Sequence, residues 1–141
     1  MKTENKTNNG QAVLITGAST GIGYATALYL DNAGYRVYAS VRIETDKQKL
    51  LNAASSNLTP IIMDVCNEES VKRAYNQIKK ENDGQSFSLV NNAGVSLNGP
   101  LEILPFSDIK MLMNVNVCGL LYVTKTFIPL IRNTRGRIVN I

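Results

Sequence analysis

The chain has 141 residues, 44% of them hydrophobic and 18% charged, with a net charge of +4, which fits one globular domain and excludes a disordered or collagen-like chain. It has no His and two Cys, Cys66 and Cys118, without CxxC spacing, which excludes the usual Cys/His zinc sites, Ser-His-Asp triads and Cys-His dyads. No uninterrupted apolar run is long enough to span a bilayer, and the polar start is unlike a signal peptide, so a cytoplasmic setting with reduced thiols is expected. The basic residues Arg132, Arg135 and Arg137 read as a solvated helix end and turn rather than a nucleic-acid patch.

In chain order, residues 1–10 show no apolar periodicity and read as a disordered tail. Ala12–Thr16 is a β-branched run ended by Gly17 and reads as a buried strand. A helix is expected from about Gly21 to Ala33, with Ile22, Ala25 and Tyr29 as its apolar face and Gly34 as its stop. Arg36–Val41 reads as the second strand, about Thr45–Ala54 as a short helix, and Pro60–Met63 as the third strand. About Glu68–Lys80 forms a helix with Val71, Ala74, Tyr75 and Ile78 at i, i+3, i+4 and i+7, and Phe87–Val90 is the fourth strand. A long helix follows from near Ser107, its plausible N-cap, to Arg132. Its stripe runs through Ile109, Leu112, Leu120, Val123, Phe127 and Leu130, and Pro129 is placed to bend or shorten its end. Arg137–Ile141 is the fifth strand.

Unbroken apolar strands alternating with helices call for a parallel sheet covered on both faces. Right-handed crossovers make the doubly wound, Rossmann-like order 3-2-1-4-5 the leading topology for residues 11–141.

The first strand runs into Thr16-Gly17-Ala18-Ser19-Thr20-Gly21-Ile22-Gly23. Glycines here serve a tight turn, the approach of a pyrophosphate to the backbone, and close helix–strand packing. The exposed N–H groups and dipole of the following helix favour an anion. A plain strand–turn–helix would also use such residues, and Ser19 and Thr20 are common in turns.

This segment resembles the TGxxxGxG motif of the short-chain dehydrogenase/reductase superfamily. Asn91-Asn92-Ala93-Gly94, Asn116-Val117-Cys118-Gly119 and Gly136-Arg137-Ile138-Val139-Asn140-Ile141 match further family motifs in order and spacing. The resemblance covers the chain from Val13 to its last residue. It implies a cofactor site at Gly17, Ser19, Thr20, Gly21, Ile22, Gly23, Arg42, Asp64, Val65, Asn91, Ala93 and Gly94, and no metal. In this reading Asn91 ties neighbouring strands and the Ala93-Gly94 backbone lies beside adenosine. Asp64 would bond the adenine amino group, with Val65 packing near the ring. The blander readings are an Asx turn for Asn91 and Asn92, and a loop residue for Asp64.

The second strand ends in Val41-Arg42, where NAD sites usually carry a carboxylate for the ribose hydroxyls. Arg42 can instead pair a 2′-phosphate, which favours NADP(H) over NAD(H), unless it is only a surface residue beside Glu44. Asn116 lies on the apolar stripe of the long helix, where a buried amide must find partners. It is either a satisfied core residue or, as the resemblance implies, the family's catalytic Asn holding a water in a proton relay.

The family's Ser, Tyr and Lys follow the GRIVNI strand. The one Tyr-x-x-x-Lys here, Tyr75 to Lys79, sits before the NNAG motif and reads as helix packing. The sheet is therefore expected to be incomplete at its C-terminal edge, with a bare fifth strand. The expectation is the cofactor-binding part of a hydride-transferring oxidoreductase, inactive alone, cut short as a fragment, frameshift or decayed gene. The alternatives are a non-catalytic nucleotide-binding module and an inactive truncated remnant with no function. By analogy, Gly99-Pro100-Leu101-Glu102 and the Leu121–Leu130 face resemble relatives acting on steroids, retinol and other lipophilic alcohols. The resemblance further implies a homo-oligomer for the intact relative, with no nucleic acid or membrane as partner.

Overall fold

The computed structural model describes residues 10–141, so the expected tail falls outside the described residues except for Gly10. Five parallel strands form one sheet: β1 (Gln11–Ile15), β2 (Arg36–Val41), β3 (Leu58–Ile62), β4 (Ser86–Asn91) and β5 (Ile138–Asn140), in the order β3-β2-β1-β4-β5. Every neighbouring pair is parallel, with Leu14 opposite Tyr38 on one side and Leu89 on the other. The doubly wound order expected from the alternation of elements is the order found.

The helices are α1 (Gly21–Asn32), α2 (Glu44–Ala53), α3 (Glu68–Glu81), α4 (Phe106–Met113) and α5 (Leu120–Asn133). Because β1 is covered on both sides, its residues divide by parity between two cores. Leu14 packs with Tyr38, Met63 and Leu89 under α3 and α5, while Val13 and Ile15 pack with Val37, Ala39 and Val90 under α1 and α2. Phe127 of α5 centres the first core, stacked on Phe87 at 5.8 Å and edge-on to Tyr75 at 5.4 Å. Burying a ring of this size stabilises the fold by about 1.5–3 kcal/mol.

Four local readings need correction. In α1 the residues facing the sheet are Gly23, Ala27 and Asp31, while Ile22 and Tyr29 are 62% and 73% exposed and Ala25 faces solvent. Apolar residues lie on both sides of α1, so periodicity could not choose its face; the small Gly23 and Ala27 let it sit close to the strands. Ser107 is not an N-cap: Pro105 holds that position and the Ser107 hydroxyl bonds to Asp108. Pro129 lies inside α5 and does not end it.

The fourth correction concerns the long helix. Its middle, Asn114–Gly119, is a π-turn between α4 and α5. Phe106–Asn133 is one continuous helical stretch of 28 residues, long and apolar enough by length and composition to cross a membrane. Looking for uninterrupted apolar runs missed it because polar residues are spread along it. Here Val123, Phe127 and Ile131 bury against the sheet. β5 forms the outer edge, where Ile138 and Val139 are 41% and 50% exposed.

Candidate functional site

In this topology the chain leaves β1 towards β2 on one side, while β4 pairs on the other, so a crevice opens beyond their carboxyl ends. Its volume is about 250 Å³, and Gly17, Ser19, Thr20, Arg42, Asp64, Val65, Ala93 and Gly94 all line it. Ser40, Met63, Asn92 and Val95 complete much of the wall.

The floor is a set of hydrogen bonds joining the β1–α1 loop to the segment after β4. Thr16 is 1% exposed, and its Oγ1 accepts from the backbone N–H groups of Asn92 and Ala93, both at 2.9 Å. Asn92 Nδ2 returns bonds to the carbonyls of Thr16 at 2.9 Å and Gly17 at 3.0 Å. On the other side, the Gly17 N–H donates to Ser40 Oγ at 3.2 Å and the Ala18 N–H to the Ser40 carbonyl at 2.8 Å. Gly17 has a φ of +66°, and a Cβ there would stand 2.7 Å from Ala93 Cα. The loop and the NNAG segment are thus in backbone contact, which only glycine permits.

The other two loop glycines do different work. Gly21 also has a positive φ, +58°, but a Cβ there would meet open space. Gly23 is buried, and its Cβ would run into the Asn92 side chain and stand 2.5 Å from the Gly17 carbonyl. Gly21 therefore serves the turn and Gly23 the packing; neither lines the crevice wall, and Ile22 points to solvent.

The amino end of α1 carries the main electrostatic feature. Its N-cap, Thr20, makes no capping side-chain bond, and no acidic residue lies in the first turn. By contrast, α3 is capped by Asn67, which accepts from the Ser70 N–H at 2.9 Å, and has Glu68 and Glu69 in its first turn. The first-turn N–H groups of α1 thus have neither a capping side chain nor a first-turn carboxylate, and their N-cap Thr20 lines the crevice.

Arg42 stands exposed at the rim, and none of the ion pairs among the described residues uses it. Glu44 is engaged elsewhere, with Gln48 at 2.9 Å and Lys47 at 3.5 Å, and the Gln48 bond in particular holds its carboxyl below the ordinary value. Asp64 both lines the crevice and makes a turn: its Oδ1 accepts from the Cys66 N–H at 2.9 Å, leaving Oδ2 without a partner among the described residues. Val65 is 8% exposed and faces the same space.

Asn91 and Asn116 lie behind the wall. Asn91 is 3% exposed, and its Nδ2 bonds Thr124 Oγ1 and Asn140 Oδ1, both at 2.9 Å, tying β4 to α5 and β5. Asn116 projects from the π-turn onto Val95, accepting from its N–H at 2.9 Å and donating to its carbonyl at 2.8 Å. Both ends of this amide are satisfied by a crevice-wall residue, so Asn116 fixes the backbone following Gly94.

Sequence reasoning did not single out Thr16, Ser40, Asn92 or Val95 as site residues. Thr16 and Asn92 lay inside the motifs, where a buried hydroxyl next to a turn was the available signal. Nothing in the sequence marked Ser40 or Val95. Tyr75 packs on Phe127 with Lys79 Nζ 5.8 Å from its ring centre, and neither lines the crevice.

Fold and crevice together define a doubly wound α/β domain whose strand ends and helix amino end converge on one cleft. Comparison with known proteins makes the assignment specific. The short chain dehydrogenase family model matches residues 11–141, and the chain belongs to that family. The chain is 36% identical to the mitochondrial D-beta-hydroxybutyrate dehydrogenase of Rattus norvegicus, over 94% of this chain and 41% of that protein. It is 38% identical to estradiol 17-beta-dehydrogenase 2 of the same species, over 93% of this chain and 35% of that protein. Among solved structures, serine dehydrogenase from Escherichia coli superposes with a TM-score of 0.84 at 28% identity, covering 92% of this chain and 60% of that one. The chain thus spans well under half the length of these two curated relatives. The family uses NAD(H) or NADP(H).

Proposed function

We propose that the chain binds a nicotinamide dinucleotide, NADP(H) in preference to NAD(H), as the cofactor-binding part of an oxidoreductase acting on an alcohol or ketone. The observation that carries this reading is the uncapped, acid-free amino end of α1, opening into a crevice with the unpaired Arg42 at its rim. A pyrophosphate suits the first, and a 2′-phosphate suits the second. The residues present fit the group: Gly17 removes a side chain where loop and wall meet, Asp64 Oδ2 is free to accept from an adenine amino group, and Val65 offers an apolar surface beside it.

When bound, the nicotinamide supplies the hydride donor or acceptor. This chain's own residues bind and orient: the α1 amides hold phosphate, Arg42 selects the 2′ substituent, and Asn116 fixes Val95 and the wall behind the cofactor. We place Asn116 as a positioning residue, because its amide bonds Val95. The Tyr–Lys pair that would move the substrate's proton is not among these residues, since Tyr75 and Lys79 belong to helix packing. The reading is therefore nucleotide binding without turnover by these 141 residues. The lipophilic alcohol named as substrate of the whole enzyme rests on analogy with relatives.

The test is ketone reduction by the purified chain with NADPH, alongside nucleotide binding by fluorescence. Binding without turnover is expected. Turnover by these residues alone would overturn the placement of the catalytic pair, and no binding of either nucleotide would overturn the site.

A further inference from the structure

Another cavity, of about 180 Å³, shares Val65 with the crevice. It is lined by Val65, Cys66, Glu68, Asn114, Cys118 and Tyr122, with Gly119 at its edge. The chain's two cysteines, far apart in sequence, both line it, and both are free cysteines at exposed positions. Two elements meet here: the turn between β3 and α3, held by the Asp64–Cys66 bond, and the π-turn of the long helix. They are in close contact. A Cβ on Gly119 would stand 2.9 Å from Val65 Cγ2, so the residues next to each cysteine pack without a side chain between them.

We propose that Cys66 and Cys118 are a redox modification site, closed to an intramolecular disulfide by a low-molecular-weight disulfide such as glutathione disulfide. The Cys118 thiolate attacks one sulfur of the small disulfide, forming a mixed disulfide and expelling one thiolate. Cys66 then gives up its proton and attacks the Cys118 sulfur, expelling the second thiolate. Two protein thiols lose two electrons and two protons, and one small disulfide becomes two thiols. Cys66 is the resolving partner because it sits beside the Asp64 carboxylate; burial first and then that carboxylate push its thiol up from its ordinary value, against the opposing pull of Arg42.

The bond would strap the Asp64–Val65 turn to the helix carrying Asn116. Its consequence for nucleotide binding rests on the cofactor-site reading; formation of the bond does not.

The experiment treats the reduced, purified chain with glutathione disulfide and follows thiol count, intact mass and mobility on a non-reducing gel. Closure in the native chain should consume both thiols, remove two hydrogens from the mass and leave a monomer. It should also be faster than in guanidinium, where the cysteines no longer share a cavity. Cys66→Ser and Cys118→Ser, both at exposed positions, should each stop at one glutathione adduct. Two stable adducts on the native chain, a disulfide-linked dimer, or closure no faster than in the unfolded chain would each overturn the proposal. A separate NADPH titration of the closed chain reads the consequence: weaker binding than in the reduced form supports the strap acting on the crevice, and failure of the reduced form to bind counts against the cofactor site alone.

Discussion

Replacing Thr16 by Val tests whether one buried hydroxyl holds the two halves of the crevice floor together. The substitution keeps shape and β-branching but removes Oγ1, which accepts from the N–H groups of Asn92 and Ala93 at 2.9 Å each. Thr16 is 1% exposed, so water cannot readily replace the lost acceptor. Each unsatisfied buried donor costs about 1–3 kcal/mol. Because Asn92 and Ala93 are only half-buried, a total of about 2–4 kcal/mol follows. That is a large part of the roughly 5–15 kcal/mol that holds a typical domain folded. Thr16→Ser retains the oxygen and loses a methyl group, so about 1 kcal/mol is expected. Urea denaturation of the two variants gives the comparison, and NADPH titration shows whether the wall still forms. A Val variant as stable as the Ser variant, with unchanged nucleotide affinity, would refute the reasoning.

The loop glycines should separate by the space around them. Gly21→Ala meets open space and carries only the strain of its positive φ, about 1–2 kcal/mol, whereas Gly23→Ala drives α1 against a backbone carbonyl and costs about 1–3 kcal/mol together with nucleotide affinity; thermal melts and titrations distinguish them. Burial pushes the Tyr38 hydroxyl up to about 12, so the folded chain keeps a proton that the unfolded chain releases from about pH 10. Its stabilising contribution is complete below about pH 10 and is lost as pH rises through about 12. Tyr38→Phe should flatten this alkaline fall in urea stability with little destabilisation at neutral pH, because the buried hydroxyl makes no well-formed hydrogen bond among the described residues, although Glu81 and Arg36 stand near it; a large loss at neutral pH would contradict that view.

The sheet could be read from the sequence because parallel strands buried on both faces are unbroken apolar runs, and β1 to β4 sit at such runs within a residue or two. Their order is not visible in the sequence itself; 3-2-1-4-5 is the commonest solution compatible with right-handed crossovers. The face of α1 could not be read, because Ile22 and Tyr29 are as apolar as the residues that pack, and closeness to the sheet is decided by the smallness of Gly23 and Ala27. Nor could the π-turn at Asn114–Gly119, which moves Asn116 onto Val95 and Gly119 onto Val65 while leaving no trace in the helical periodicity. At the site, most of the residues singled out from the sequence line the crevice, while Gly21, Ile22, Gly23 and Asn91 do not. The motifs did not reveal the bonds between the crevice's parts, since Thr16, Ser40 and Asn92 act through contacts between segments far apart in the chain.

Nucleotide titration of the wild type and Arg42→Ala tests the central claim most directly. Arg42 is exposed, so its bond to a 2′-phosphate is discounted to about 1.4 kcal/mol, or roughly tenfold in affinity. The account predicts that NADPH binds about tenfold tighter than NADH to the wild type, and that the difference collapses in Arg42→Ala while NADH affinity stays the same. A preference for NADH that Arg42→Ala leaves untouched would contradict it.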